Sequence, residues 1–157
     1  MGIRISKILY PTDFSEVTLH ALKYARELAG TFDAQLYCVH VVDEAYQYWT
    51  AMGPESVPVG VAAEDLLSLA EGHMQRFADE HLVGLKYAPV TKVLVGAPFR
   101  EIIAYARENT VDLIVLATHG RGGLSWVLMG STAEKVVRKA PCPVLTVRHP
   151  EHEFVMP

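Results

Sequence analysis

Five short apolar, β-branched runs alternate along this chain with segments whose apolar residues recur at helical spacing, and few folds accept that alternation. Strands separated by helices point to βαβ units, in which the strands run parallel and the helices cover both faces of the sheet. The runs predict strands at about Lys7–Pro11, Gln35–Val42, Pro89–Val95, Leu113–Thr118 and Val144–Val147. The first helix follows Ser15, gathers Val17, Ala21, Leu22, Ala25 and Leu28 on one face, and is expected to stop at Gly30. The second carries Leu66, Leu67, Ala70, Met74, Phe77 and Ala78. The third opens on Pro98, a good first-turn residue, and is expected to bury Phe99, Ile102, Ile103 and Ala106. The fourth begins at Gly130-Ser131, where Ser131 and Glu134 have the spacing of a capping box.

Length and composition narrow the class. The 157 residues, half of them hydrophobic, suit one α/β domain with a packed core. The net charge is −4, with the basic residues scattered, so the footprint of a nucleic-acid binder is missing and any bound phosphate belongs to a small molecule. Cys38 lies in an apolar run and Cys142 between two prolines, which predicts free thiols and a reducing, cytoplasmic setting. No apolar stretch reaches the ~18 residues that cross a bilayer, and no signal-peptide pattern is visible, so no membrane association is expected.

The fourth strand carries the chemistry. The apolar run Leu113-Ile114-Val115-Leu116-Ala117 passes into Thr118-His119-Gly120-Arg121-Gly122-Gly123, and Gly130-Ser131-Thr132 then opens a helix. A strand that ends in glycines beside a helix amino terminus presents unpaired N–H groups and the positive end of the helix dipole, which suits an anion and above all phosphate. It is not the G-x-x-x-x-G-K-[ST] loop, since no glycine precedes a lysine, and it is not the Rossmann fingerprint, since these glycines follow the fourth strand. Ligands of parallel sheets sit beyond the carboxyl ends of the strands where strand order reverses. If the first and fourth strands are neighbours there, Thr12-Asp13-Phe14-Ser15 faces the glycine loop. Asp13 then suits a ribose hydroxyl, or else it is a helix-start residue that accepts N–H bonds.

Two other regions stand out. The strand around Pro89-Val90-Thr91-Lys92 has the proline and lysine of a blunted sheet edge, whereas Val144-Leu145-Thr146-Val147 has nothing after it to cover it and invites a second copy. Asp43 to Ala63, with Tyr46, Tyr48, Trp49, Met52, Pro54 and Pro58, fits no regular element and reads either as a lid or as a surface loop.

Ile8-Leu9-Tyr10-Pro11-Thr12-Asp13-Phe14-Ser15, Val39-His40-Val41, Val95-Gly96, Asp112-Leu113-Ile114-Val115, Thr118 to Ser125, Met129 to Glu134 and Ala140-Pro141-Cys142-Pro143-Val144-Leu145 together resemble the universal stress protein family. The resemblance covers essentially the whole chain, about 1–148, leaving 149–157 as a tail. It implies a five-stranded parallel sheet of order 3-2-1-4-5, adenine-nucleotide alpha-hydrolase-like, and a homodimer joined through the fifth strands. In one branch of the family it also implies bound ATP, marked by G-x-x-G-x9-G-[ST]. Gly120, the nine residues Arg121 to Met129, and Gly130-Ser131 fit that pattern, while Ala117 replaces its first glycine and adds a methyl that would crowd a closely approaching ribose or phosphate. By the same resemblance Pro11, Thr12, Asp13 and the backbone near Val41 line an adenosine pocket, and Gly120, Gly123, Gly130, Ser131 and Thr132 hold phosphates.

The remaining polar residues leave alternatives open. His119 beside a phosphate reads as an acid or base, or as a hydrogen-bonded structural residue; Arg121 reads as a phosphate ligand or a solvated charge. His149, Glu151, His152 and Glu153 lack the fixed spacing of a metal site, so no protein metal site is expected, and Mg²⁺ accompanying ATP would be held by phosphates and water. The sequence-level expectation is an ATP-binding dimeric stress or signalling module with no catalytic residue. The alternatives are a slow ATPase or phosphotransfer enzyme, for which no activated water, arginine finger or base stands out, and a nucleotide-free dimeric module.

Overall fold

The computed structural model of the chain describes residues 2–43, 63–118 and 129–148. The order of elements is β1 (Lys7–Pro11), α1 (Glu16–Phe32), β2 (Gln35–Val42), α2 (Ala63–His81), β3 (Val90–Val95), α3 (Pro98–Glu108), β4 (Leu113–Ala117), α4 (Ser131–Lys139) and β5 (Val144–Val147). All strand pairs are parallel, and the sheet runs β3-β2-β1-β4-β5. This is the expected order, with the β3 strand at one edge and β5 at the other.

Side chains that alternate along a strand build two cores, one on each side of the sheet. Ile8, Tyr10, Leu36, Cys38, Leu113, Val115 and Ala117 face α1 and α2, meeting Ala21, Leu22, Ala25, Met74 and Phe77. Leu9, Val39, Ile114 and Leu116 face α3 and α4, meeting Ile102, Ala106, Ala133 and Val136. β4 is buried at all five residues, which explains why it reads as an unbroken apolar run. Phe99, expected in the core, is half-buried at its margin, with Lys135 Nζ 4.8 Å from the ring centroid.

Two helix ends depart from expectation. Gly30 does not stop α1, which runs on to Phe32; Asp33 ends it in the left-handed conformation (φ 55°), where its short polar side chain is tolerated, and its N–H turns back to Ala29 and Gly30. At α4 the capping box does not form. Gly130 takes the cap position, so Ser131 lies inside the helix, one residue too late to cap it, and Glu134 pairs instead with Arg138 at 2.9 Å.

At the amino ends of the strands one carboxylate ties the sheet together. Asp112, just before β4, accepts the backbone N–H groups of Ser6 (2.8 Å) and Lys7 (3.0 Å) at the start of β1. Both cysteines are free thiols; burial pushes Cys38 up to about 12, so it stays protonated and packs as a small apolar side chain. Among the described residues no helix is long and apolar enough to cross a membrane.

Candidate functional site

The strand order reverses between β1 and β4, which lie side by side with Ile8 opposite Leu113 and Leu9 opposite Ile114. From that point the chain leaves β1 toward β2 on one side and β4 leads to β5 on the other. The carboxyl ends of the two strands therefore open a crevice with α1 and α4 beginning beside it. Thr12 and Asp13 follow β1; Thr118 follows β4.

The turn after β1 is built by short polar side chains. Asp13 Oδ1 accepts the Ser15 N–H (2.9 Å), and Thr12 Oγ1 accepts the Phe14 N–H (3.0 Å), so two successive side chains close the backbone onto itself. Ser15 caps α1 by accepting the Thr18 N–H. The Thr18 hydroxyl, with one proton to give, donates toward Asp13 Oδ1 at 3.2 Å and the Ser15 carbonyl at 2.9 Å, and lies beside the Thr12 and Ser15 hydroxyls at 3.1 and 3.5 Å. Below the turn, the buried Tyr10 hydroxyl donates to the Thr18 carbonyl at 2.6 Å, and burial holds its titration well above the usual tyrosine range. The helix-start role foreseen for Asp13 is thus present in the geometry.

Two features of this turn had no sequence signal beyond the residue types. Phe14 sits at φ 65°, a left-handed conformation that costs a bulky residue about 1–3 kcal/mol and persists only where the surroundings enforce it. Its ring lies 4.5 Å from that of His40 on β2 and 5.4 Å from that of Phe77 on α2. His40 Nδ1 is 2.8 Å from the Thr12 carbonyl.

On the other side of the crevice, the Thr118 N–H continues the sheet by donating to the Val147 carbonyl (3.0 Å), and the Gly130 N–H returns to the Thr118 carbonyl (2.7 Å). This last bond brings the two ends of the intervening glycine segment together and sets the start of α4 against the end of β4. A helix leaves its first N–H groups without intrahelical partners, and no side chain caps α4 at Gly130. Gly130 has φ −58° and ψ 152°, angles open to any residue, so its backbone conformation does not require glycine.

The candidate residues sort by place. Pro11 and Thr12 are buried at the end of β1, Asp13 is half-buried in the turn, and Val41 is half-buried near the end of β2. Thr12 spends its hydroxyl on Phe14 and Thr18, so it supports the turn from within. Ala117 directs its methyl into the core shared with Val147 and α1, away from the α3 and α4 face. Ser131 is exposed and Thr132 half-buried in the first turn of α4. His119, Gly120, Arg121 and Gly123 lie outside the described residues, as do residues 44–62 and the tail histidines His149 and His152. A groove of about 160 Å³ lined by Arg26, Gly30, Leu36, Gly84 and Tyr87 opens elsewhere, beside the amino end of β2.

The model of the universal stress protein family matches residues 4–148. The chain belongs to that family. It is 37% identical over 154 residues to Universal stress protein MJ0531 of Methanocaldococcus jannaschii, a match that covers 94% of this chain and 84% of that protein. The solved structure of protein MJ0577 from the same organism superposes with a TM-score of 0.77 at 31% identity, over 94% of this chain and 98% of that one. Two more distant relatives share the fold: a universal stress protein in complex with cAMP (TM-score 0.66, 19% identity, 92% and 98% covered) and one from Archaeoglobus fulgidus in complex with dAMP (TM-score 0.61, 21% identity, 92% and 98% covered).

Proposed function

We propose that this universal stress protein binds an adenine nucleotide, ATP first among them, in the crevice between the ends of β1 and β4. One observation carries the reading: strand order reverses where the Asp13 turn and the uncapped start of α4 leave neighbouring strands. The cAMP and dAMP held by two relatives of the same fold support it. Pro11 and the Val41 backbone would wall the adenosine, Asp13 would accept from ribose hydroxyls, and N–H groups at Gly120, Gly130, Ser131 and Thr132 would meet the phosphates, with Mg²⁺ held by phosphate oxygens and water. Family membership points to a role in stress response or signalling, with binding rather than turnover as its chemistry.

The same reading includes a homodimer through β5. The Pro143 and Val147 carbonyls turn toward β4, where they accept the Ile114 and Thr118 N–H groups. By the two-residue alternation of a strand, the backbone groups of Val144 and Thr146 face the open edge, and Leu145 is 37% exposed there. Antiparallel pairing with a second copy would satisfy them.

A nucleotide-free dimeric module is the rival, favoured by the use Asp13 Oδ1 already has at the start of α1. Mass spectrometry of the ligand released by heating the purified protein separates the two. An adenine nucleotide is expected; its absence, together with no heat of ATP binding in calorimetry, would overturn the nucleotide reading.

A further inference from the structure

The geometry points to His40 as the positioning residue of the Asp13 turn: one imidazole holds the residue before Asp13 and the residue after it. A carbonyl oxygen only accepts, so at 2.8 Å from the Thr12 carbonyl His40 Nδ1 is the protonated nitrogen and the hydrogen bond selects the tautomer. The preceding residue on β2 completes the grip, because the Val39 carbonyl accepts the Thr12 N–H at 2.9 Å. β2 therefore holds both backbone groups of Thr12, one through its own carbonyl and one through the His40 ring.

The far side of Asp13 is held by the same ring. Phe14 adopts φ 65°, and its side chain lies against His40 at 4.5 Å between centroids, with Phe77 at 5.4 Å and His73 edge-on at 6.0 Å from α2. An unfavourable backbone angle survives where packing on the side chain over-determines it. With Thr12 fixed by the hydrogen bond and Phe14 by ring packing, the Asp13 carboxylate between them has its direction set by a residue 27 positions away in sequence. The structural half of this inference stands on contacts alone, and its effect on affinity rests on the nucleotide reading above.

The test uses the full chain and three variants. His40→Asn keeps an N–H donor near the Nδ1 position, His40→Gln moves it toward the Nε2 position, and His40→Leu removes it. Hydrogen exchange in ligand-free protein compares the Ser15 amide, bonded to Asp13, with the Ile114 amide in the sheet, which reports general loosening. His40→Leu and His40→Gln should speed Ser15 exchange relative to Ile114 by about tenfold and weaken ATP binding by about tenfold, the scale of one hydrogen bond, while His40→Asn stays within about threefold of the parent. In a double-mutant cycle, His40→Leu should cost little further affinity once Asp13 is alanine. Unchanged Ser15 protection in His40→Leu, or losses at His40 and Asp13 that simply add, would overturn the inference. If His40→Leu does not fold, the Asn and Gln variants decide it, since equal behaviour of those two refutes a role for the Nδ1 donor. If the parent binds no ATP, the nucleotide reading fails and the exchange comparison still decides the role of His40.

Discussion

Asp13 starts α1 in the structure and accepts from ribose in the proposed site, and one pair of substitutions weighs the two roles. Its Oδ1 accepts the Ser15 N–H at 2.9 Å and shares the Thr18 proton at 3.2 Å. In Asp13→Ala the Thr18 hydroxyl falls back on the Ser15 carbonyl at 2.9 Å, so of these two bonds the one lost outright is that of the Ser15 N–H to a charged acceptor. Such a bond contributes about 1.5–3 kcal/mol, and partial exposure of the turn places the loss nearer 1–2 kcal/mol. For a chain of this size that lowers the thermal midpoint by about 2–8 °C, which leaves the protein folded at room temperature. Asp13→Asn retains an oxygen at the Oδ1 position and should recover most of that difference.

Nucleotide affinity supplies the second reading. If the carboxylate also accepts from ribose hydroxyls, Asp13→Ala should weaken ATP binding by a further 1–3 kcal/mol, about 5- to 150-fold in Kd, with Asp13→Asn between it and the parent. Calorimetry at a temperature where both variants are fully folded separates this from the stability change. A variant that melts several degrees lower yet binds ATP as tightly as the parent would confine Asp13 to starting α1 and refute its place in the nucleotide site.

Four other substitutions probe the frame around the crevice. Gly96→Ala should cost about 1–3 kcal/mol, because Gly96 has φ 144° and an added Cβ would stand 2.7 Å from Glu101 Oε1; melting that is unchanged, or fully rescued by Glu101→Ala, would remove backbone strain as the cause. Ala117→Gly should destabilise by about 1–2 kcal/mol through a lost core methyl and added chain entropy while ATP affinity holds or tightens, and a clear loss of affinity in folded protein would contradict this. Gly130→Val should keep the fold, its angles being open to valine, and abolish ATP binding by obstructing close approach of phosphate; undiminished binding by calorimetry would misplace the phosphate site. Thr146→Pro, which removes an N–H facing the open edge of β5 and spares the bonds to β4, should shift a dimer toward monomer in light scattering, and a dimer untouched by it would discredit that interface.

The elements were legible because both cores impose period. β1, β2 and β5 have the limits expected from their apolar runs, while β3 starts one residue later than expected, at Val90, and β4 ends one residue earlier, at Ala117. Helix ends were less legible because punctuation residues compete. Gly30 looks like a stop, but the left-handed angle is supplied three residues later by Asp33, and a solvent-facing glycine merely weakens a helix that packing already holds. Ser131 and Glu134 have the spacing of a capping box, yet the bond from the Gly130 N–H to the Thr118 carbonyl starts the helix one residue early. No local pattern encodes a bond that spans twelve positions.

The candidate site divides in the same way. The Asp-Phe-Ser turn and its Thr18 partner lie within six residues of one another, so Asp13 could be read as a helix-start residue from composition alone. What makes that turn capable of more is distant in sequence: the pairing of β1 with β4, the grip of Val39 and His40 on Thr12, and the packing that holds Phe14 left-handed. Asparagine, aspartate and glycine advertise left-handed angles, and phenylalanine does not, so the conformation at Phe14 is a tertiary fact with no sequence signature. Ala117 makes the converse point. By resemblance Ala117 takes the place of a motif glycine and its methyl is expected to crowd a ligand, but alternation along β4 turns that methyl into the α1 core, where it acts on packing.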